Sequence, residues 1–241
     1  MDSQPAIDTN FDFRSDTPDR KDPDSYSKTL RRYHSQLWSK SLPNGSVFTL
    51  STATPRVYLH HKSEVGELFM ASDSVIPTFT RSKRIADIID QIPQEERDQF
   101  VRLSYTIGGM MIFPGNKIGG RMTINGARGC SPRIKDRFDL TVECIRRHYG
   151  NERSPLSETL ARYQKFFRLF GDFRGYVDFF LLQDLVTADY SEVTFSLPFD
   201  DFHPWPLPRT LSEYLLYRQR AADFISARNQ RILRDLRVSE S

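Results

Sequence analysis

The segment Asn125-Gly126-Ala127-Arg128-Gly129 carries the residues best suited to bind an anion, and it leads into a predicted helix that begins near Ser131. Glycine adopts positive φ without steric cost, so the amides of such a turn can point toward one spot. The free N–H groups of a helix start favour negative charge at the same place. Arg128 and Arg133 add guanidinium donors that suit a phosphate or a carboxylate. The pattern predicts an anion-binding site formed by Asn125, Gly126, Arg128, Gly129 and Arg133.

A second interpretation of the same segment needs no ligand. The glycines would then serve only the packing of a tight turn, and Arg128 would pair with a carboxylate inside the protein. The segment matches neither the phosphate loop of nucleoside triphosphatases nor the glycine fingerprint of dinucleotide-binding folds. Both interpretations stay open at this point, and the exposure of Arg128 distinguishes them.

Three histidines and one lysine are the candidates for proton transfer: His34, His60, His61 and Lys62. His34 lies on a predicted helix, whereas His60 and His61 end a predicted strand, where alternation sends their side chains to opposite faces. Histidine exchanges protons near neutral pH, and a neighbouring Lys or Arg stabilises the charge that develops at a phosphodiester. These residues predict acid–base chemistry on a phosphate ester without a metal. In the alternative, each histidine is a structural residue whose hydrogen bonds are satisfied inside the protein.

Carboxylates recur at three- and four-residue spacing on the helix predicted after Ser131, at Asp136, Asp139 and Glu143. Such a face could ligate a metal ion with help from elsewhere, or form salt pairs with arginines of the same helix. We predict no metal, and the sequence indicates no particular cofactor. The two cysteines are fourteen residues apart without a CxxC motif, so a zinc site is not indicated. The GxSxG and HExxH motifs of hydrolases are also absent from the sequence.

Charge is distributed unevenly along the 241 residues, whose formal net charge is +3. Residues 1–25 carry seven Asp against three basic residues, a local charge of −4, which leaves +7 on the remainder. A mildly basic body permits a nucleotide or an RNA as partner but does not require one. The alternative is ordinary surface charge that keeps the protein in solution.

Apolar periodicity and turn residues predict the elements that must position these side chains. Helices are expected at residues 28–40, 82–91, 94–104, 131–149 and 210–236, with two more in the phenylalanine-rich stretch 154–187. Strands are expected at residues 46–50, 57–61, 68–72 and 193–197, and a hairpin at residues 108–125. We therefore predict an α+β fold, in which a small antiparallel sheet packs against a mainly helical body around the phenylalanines.

The same patterns predict the domain organisation and the compartment. Residues 1–24 are rich in Asp, Pro and Thr and are expected to form an acidic extended arm, followed by a single α+β domain at residues 25–241. No apolar run approaches the roughly 18–20 residues that a membrane span needs, so no membrane partner is expected. The acidic start of the chain lacks a signal-peptide pattern, and two cysteines suit a reducing compartment. We expect a cytoplasmic protein.

Three stretches together resemble an uncharacterised bacterial protein family, a domain of unknown function: residues 27–45, 123–150 and 154–186. The resemblance covers most of the chain beyond the acidic leader. It implies a bacterial, intracellular, single-domain protein. It brings no activity, ligand or catalytic residue with it, so any function must be argued from the residues themselves.

Two hypotheses of different classes follow from the sequence. In the first, the protein binds or acts on a phosphate-bearing ligand, a nucleotide or an RNA, through the anion site and the histidines. In the second, it is a non-catalytic protein–protein interaction module that uses residues 1–24 or 210–236. Whether the protein is an enzyme does not follow from the sequence.

Overall fold

A computed structural model describes residues 6–239, and their side chains as far as residue 236. In this part of the chain, a three-stranded and a two-stranded antiparallel sheet lie among ten α-helices. The helices are α1 Pro23–Tyr26, α2 Lys28–Trp38, α3 Ala86–Ile89, α4 Gln94–Ser104, α5 Ile124–Cys130, α6 Phe138–Tyr149, α7 Ser157–Arg162, α8 Gln164–Arg168, α9 Phe173–Phe179 and α10 Leu211–Ser239. The strands are β1 Lys40–Ser41, β2 Val47–Phe48, β3 Leu59–Ser63, β4 Gly66–Ser74 and β5 Met110–Pro114. The predicted α+β class, with small sheets against a mainly helical body, is confirmed.

The central sheet has the strand order β3-β4-β5, with both neighbours antiparallel to β4. A two-residue turn joins β3 to β4, and Gly66 takes a positive φ of 111° after it, which only glycine adopts easily. Every residue of β5 is buried, which explains its unbroken apolar run Met-Met-Ile-Phe-Pro. Strand β4 instead alternates between buried and partly exposed residues and ends in the polar run Ser72-Asp73-Ser74, of which Ser72 is buried.

The predicted hairpin at residues 108–125 is wrong. Only its first half is a strand, β5, and that strand pairs with β4 rather than with the residues that follow. The second half leads into helix α5, which Thr123 caps by accepting a hydrogen bond from the Gly126 amide. The helix predicted from residue 131 starts only at Phe138, because Lys135 and Asp136 adopt positive φ and interrupt the chain before it.

Residues 6–24 pack on the body, in contrast to the extended arm expected from their composition. Ile7 and Phe13 are buried in the main core, and the Phe13 amide donates a hydrogen bond to the Tyr105 carbonyl. The Asp16 carboxylate accepts hydrogen bonds from the Ser27 hydroxyl at 2.6 Å and from the Thr29 amide at 2.9 Å. These bonds tie the start of this segment to the N-terminus of α2. Residues 1–5 of the predicted arm lie outside the described residues.

The phenylalanine-rich stretch forms the aromatic centre of the core, as predicted, but folds as three short helices, α7 to α9, rather than two. Six of its rings are buried: Phe166, Phe167, Phe170, Phe173, Phe179 and Phe180. Gly171 breaks the helical run with a φ of 75°. Trp38 of α2 packs edge-on against Phe180 at 5.2 Å, so the stretch anchors the helix that carries His34.

Helix α10 crosses the molecule and closes the core. Its Arg228 side chain is fully buried and donates to the carbonyls of Gly108, Met110 and Phe180 at 2.7–3.1 Å. Leu215 and Leu233 of this helix are exposed. The buried face is set by other residues, and Leu215 lies two positions, about 200°, before the buried Tyr217. None of the described helices, α10 included, is long and apolar enough to span a membrane.

Candidate functional site

Arg128, the centre of the predicted anion site, is fully buried and already paired. Its guanidinium donates to the Asp73 carboxylate at 2.5 Å, to the Thr141 hydroxyl at 3.2 Å, and to the carbonyls of Val75 and Asp136. The guanidinium is therefore hydrogen-bonded to protein acceptors and has no contact with solvent. The pairing is the one that the alternative interpretation of the segment predicts.

The other residues of the predicted anion site do not surround a common point. Gly126 and Gly129 lie inside helix α5, so their amides belong to the helix and not to an open turn. The small side of Gly129 leaves room for the Asp136 carboxylate, which would be 3.0 Å from an added Cβ. Asn125 donates weakly to the Ser72 carbonyl at 3.4 Å, whereas Arg133 is exposed. Asn125 and Arg128 both donate hydrogen bonds to strand β4, Asn125 to the Ser72 carbonyl and Arg128 to the Asp73 carboxylate.

His34 is fully buried, and two neighbours satisfy both of its ring nitrogens. Trp38 Nε1 donates to His34 Nδ1 at 3.0 Å, and His34 Nε2 lies 2.9 Å from Ser72 Oγ. Burial, with a contribution from the charge of Arg228, lowers the pKa of His34 to about 3. The ring is therefore neutral near pH 7.

His60, His61 and Lys62 lie on β3, and the predicted alternation is seen: His61 is buried, whereas His60 is half-buried on the other face. His61 stacks at 4.3 Å on Phe48 and its Nδ1 lies 3.1 Å from the Thr49 carbonyl. The Nδ1 of His60 lies 2.9 Å from the Thr54 hydroxyl. Lys62 is exposed and faces Glu67. The hydrogen bonds of the three histidines lead to different partners, so the structure does not join them in one catalytic group.

The carboxylates of the predicted acidic helix face are largely paired with arginines. Glu143 accepts from Arg146 and Arg147, and Asp139 forms a buried ion pair with Arg137 at 2.5 Å. Asp136 lies before the helix and near Arg128. Among the described side chains, no three His, Cys, Asp or Glu groups are arranged to hold a metal ion.

A cleft of about 910 Å³ lies directly beside the buried Arg128. Its walls come from four segments, at residues 14–24, 73–82, 101–105 and 129–136, and from Leu207. The first wall is the N-terminal segment that Asp16 ties to α2, and the second is the end of β4 with the loop that follows. The cleft therefore forms where chain segments that are distant in sequence meet.

Two carboxylates, Asp24 and Asp73, line the inner part of this cleft. Asp24 belongs to α1, which packs on β4, and accepts hydrogen bonds from Ser72 Oγ and from the Ser74 amide, both at 3.2 Å. Burial, together with the negative charges of Asp73 and Asp22, raises the pKa of Asp24 to about 7. The carboxyl of Asp24 is thus able to take up and release a proton near neutral pH.

Asp73 has a different environment. Burial raises the pKa of Asp73, and the ion pair with Arg128 opposes that effect. The Asp73 side chain is 24% exposed toward the cleft, whereas Arg128 is sealed behind it. The two neighbouring carboxyls therefore differ: Arg128 favours the charged form of Asp73, and that charge helps to keep a proton on Asp24.

The lining of the cleft carries cations as well as the further carboxylates of Asp19, Asp22 and Asp136. Arg20, Arg81 and Lys135 line the cleft, and none of the three forms an ion pair within the described residues. Two further cations of the cleft are already occupied, because Arg14 pairs with Asp12 and Lys21 lies over the Tyr26 ring. Three positive side chains of the cleft are thus available to an anionic ligand.

The backbone around the cleft is unusual. Four of its lining residues that are not glycine adopt positive φ, namely Arg20 at 63°, Phe79 at 59°, Lys135 at 48° and Asp136 at 62°. This conformation is uncommon outside glycine, above all for a bulky residue such as Phe79, and such residues cluster at functional sites. The strained backbone supports the cleft as the candidate site.

Sequence reasoning missed Asp24 and Asp73. Asp73 had one visible signal, since it stands between two serines at the end of an apolar strand, where a polar run needs a reason. Asp24 had no visible signal, because an Asp shortly after Asp22-Pro23 is typical of the first turn of an ordinary helix. Their closeness follows from the packing of α1 on β4, which no local pattern encodes.

Comparison with protein families gives one match. Residues 7–232 match a family described as "Family of unknown function (DUF6994)", which covers nearly the whole chain. Searches of curated proteins and of solved structures find no match.

Proposed function

This chain belongs to that family of unknown function, and we propose that it binds a phosphate-bearing small molecule, such as a nucleotide, in the cleft beside Asp24. The observation that carries the proposal is the lining of the cleft, which holds three cations that form no ion pair within the described residues, together with a carboxyl whose pKa is near 7. The proposal keeps the ligand class predicted from the sequence and moves its site from Arg128 to the neighbouring cleft.

The size and charge of the cleft support a small anionic ligand. A volume of about 910 Å³ falls in the range of roughly 300–1,000 Å³ that is typical of small-molecule sites. The cations Arg20, Arg81 and Lys135 would meet the phosphate. Because these cations line one concavity rather than follow a groove, we favour a nucleotide over an RNA strand.

Asp24 would serve as the proton donor or acceptor in the bound state. An acid–base group is most effective when its pKa lies near the working pH, which holds for Asp24. The Asp73 carboxyl lies next to Asp24 and is held in place by its ion pair with Arg128. This arrangement supports proton transfer to or from a hydroxyl or amine of the ligand, and it replaces the histidines predicted for that role.

The compartment proposed with this function is the cytoplasm. Both cysteines are free thiols, Cys144 in the core and Cys130 on the surface. Free thiols suit a reducing compartment, in which nucleotides are abundant ligands.

Titration calorimetry at low salt tests the proposal, with AMP, ATP and inorganic phosphate as probes and adenosine as the uncharged control. We expect the phosphate compounds to bind and adenosine to bind at least about tenfold more weakly, because the cations contact the phosphate. Arg81→Glu should weaken AMP binding by about tenfold or more.

Arg133→Glu is the matched control, because Arg133 is equally exposed and lies outside the cleft. It should bind AMP as the wild type does. A loss of binding in Arg133→Glu but not in Arg81→Glu would return the site to the segment chosen from the sequence.

The alternative function is a non-catalytic interaction module that uses residues 1–24 or 210–236. One observation favours the second region: Leu215 and Leu216 lie side by side on α10, and both are about 40% exposed. Adjacent exposed leucines are typical of a contact surface when they are part of a larger apolar patch. Failure of every phosphate compound to bind would favour this alternative.

A further inference from the structure

Four side chains form a hydrogen-bonded chain from the core to the cleft: Trp38, His34, Ser72 and Asp24. Trp38 Nε1 lies 3.0 Å from His34 Nδ1, His34 Nε2 lies 2.9 Å from Ser72 Oγ, and Ser72 Oγ lies 3.2 Å from Asp24 Oδ1. Trp38 and His34 are fully buried, and Ser72 is buried. The chain thus joins a sealed histidine to the acid of the cleft.

The direction of the hydrogen bonds in this chain is fixed by its buried end. An indole N–H only donates, so His34 Nδ1 must accept. The neutral ring therefore carries its proton on Nε2 and donates it to Ser72 Oγ. Ser72 in turn directs its own hydroxyl proton to Asp24 Oδ1. Each donor in the chain points toward the cleft.

This direction excludes Ser72 as a nucleophile activated by His34. In a serine hydrolase the histidine accepts the proton of the serine hydroxyl. Here the nitrogen that faces Ser72 already carries a proton, and its other nitrogen is occupied by Trp38. The geometry assigns to His34 a role that acts on Asp24 through Ser72.

We propose that His34 is a positioning residue of the cleft, which turns the Ser72 hydroxyl toward Asp24 and so holds the Asp24 carboxyl ready for the ligand. This inference rests on the proposed function of the cleft, because it gives His34 a role in positioning Asp24, the proposed acid–base group.

Other charged and titratable groups face the two ends of this chain. Asp22 and Asp73 face the Asp24 carboxyl, as do the phenols of Tyr58 and Tyr105. Arg228 of α10 faces the His34 ring from the core side. Replacements of Trp38 and of His34 leave all of these groups in place, so a change at Asp24 in these variants reports on the hydrogen bonds.

The test is the pKa of Asp24, measured by carbon-13 NMR of its carboxyl in the ligand-free full-length protein. In Trp38→Phe, His34 is free to change tautomer and accept from Ser72, so Asp24 loses the Ser72 hydroxyl as a donor and keeps the Ser74 amide. We expect the pKa of Asp24 to rise by about 0.5–1, because a hydrogen bond to the charged form is lost. Ser72→Ala should raise it by a similar amount.

Replacements of His34 itself separate positioning from packing. His34→Leu should raise the pKa of Asp24 as Trp38→Phe does, whereas His34→Gln keeps a donor toward Ser72 and should restore most of the wild-type value. Tyr33→Phe is the control, because Tyr33 is equally buried on α2 but bonds to the Asp8 amide instead. If Trp38→Phe fails to fold, the comparison of His34→Leu with His34→Gln decides.

The proposal is overturned if the pKa of Asp24 in both Trp38→Phe and His34→Leu equals that of the wild type. This holds whether or not AMP binds to the cleft. It is also overturned if Tyr33→Phe shifts Asp24 as much as they do. The titration uses no ligand, so the absence of AMP binding would defeat the proposed function while leaving this measurement intact. Where AMP binds, the pH midpoint of its binding should shift with the pKa of Asp24.

Discussion

The Arg128 guanidinium donates to the Asp73 carboxylate across 2.5 Å, and this ion pair forms the wall between the core and the cleft. Arg128 is fully buried behind the pair, whereas Asp73 is 24% exposed in front of it. The sequence predicts an anion site around Arg128, and the structure shows its guanidinium paired inside the protein. Arg128 fixes the position of a carboxylate that lines the cleft.

Replacement of Arg128 should reduce the stability of the fold more than it reduces ligand binding. Arg128→Ala leaves Asp73 without its cation and leaves the carbonyls of Val75 and Asp136 without a donor. We expect a loss of about 3 kcal/mol in the free energy of unfolding, as for other broken buried ion pairs. Urea denaturation followed by circular dichroism measures it.

Arg133→Ala provides the comparison for that loss, since Arg133 is exposed. It should change the free energy of unfolding by less than about 0.5 kcal/mol. Equal stability of the two variants would show that Arg128 is not the structural residue described.

Asp24 should make the protein less stable as the pH rises. Its pKa is about 7 in the fold against 3.8 for a free side chain, so the folded state keeps the proton to higher pH. The free energy of unfolding therefore falls as the pH rises from about 4 to about 7, and the full loss is present above pH 7.

The side chain in Asp24→Asn cannot ionise, so the free energy of unfolding of this variant should lack the decline with pH that Asp24 causes. We expect it to gain about 2 kcal/mol over the wild type between pH 4 and pH 8, after allowance for partial solvent screening. Urea denaturation of both proteins across this range checks the sign. A wild type that grows more stable relative to Asp24→Asn as the pH rises would refute the raised pKa.

Replacement of Arg228 by lysine should destabilise the fold. The planar guanidinium of Arg228 donates to three carbonyls, of Gly108, Met110 and Phe180, which a single ammonium cannot reach together. Arg228→Lys should cost about 2 kcal/mol of stability, because at least one buried carbonyl loses its donor. Thermal unfolding measures the loss, with Arg234→Lys on the exposed side of α10 as control. A loss of equal size in the control would contradict this role.

Local patterns in the sequence predict the elements whose bounds depend on their own residues. Helix α4 is predicted at 94–104 and is found at Gln94–Ser104, because a proline before it and polar residues within it define its start. The phenylalanine stretch is predicted to be core because its rings are too many to be exposed. The same reasoning could have placed His34 in the core. It stands four residues from both Leu30 and Trp38, inside the apolar stripe of α2.

The candidate site could not be predicted in this way, because its residues meet only in the tertiary structure. Asp24 and Asp73 are forty-nine positions apart and approach through the packing of α1 on β4. The hairpin expected at 108–125 failed for a similar reason, since β5 finds its partner in β4, forty residues earlier, and not in its neighbour. Positive φ at Lys135 and Asp136 likewise depends on the Arg128 contacts that no periodicity reveals.

The number of protons taken up when AMP binds tests the cleft most directly. Titration calorimetry at pH 8, in buffers of different ionisation enthalpy, measures it for the wild type and for Asp24→Asn. The negative charge of a phosphate bound elsewhere in the same cleft raises the pKa of the Asp24 carboxyl further, so the wild type should take up a fraction of a proton more than the variant. The protonation of AMP itself cancels in the difference. Equal proton uptake by the two proteins, or no binding of AMP to the wild type, would contradict the account.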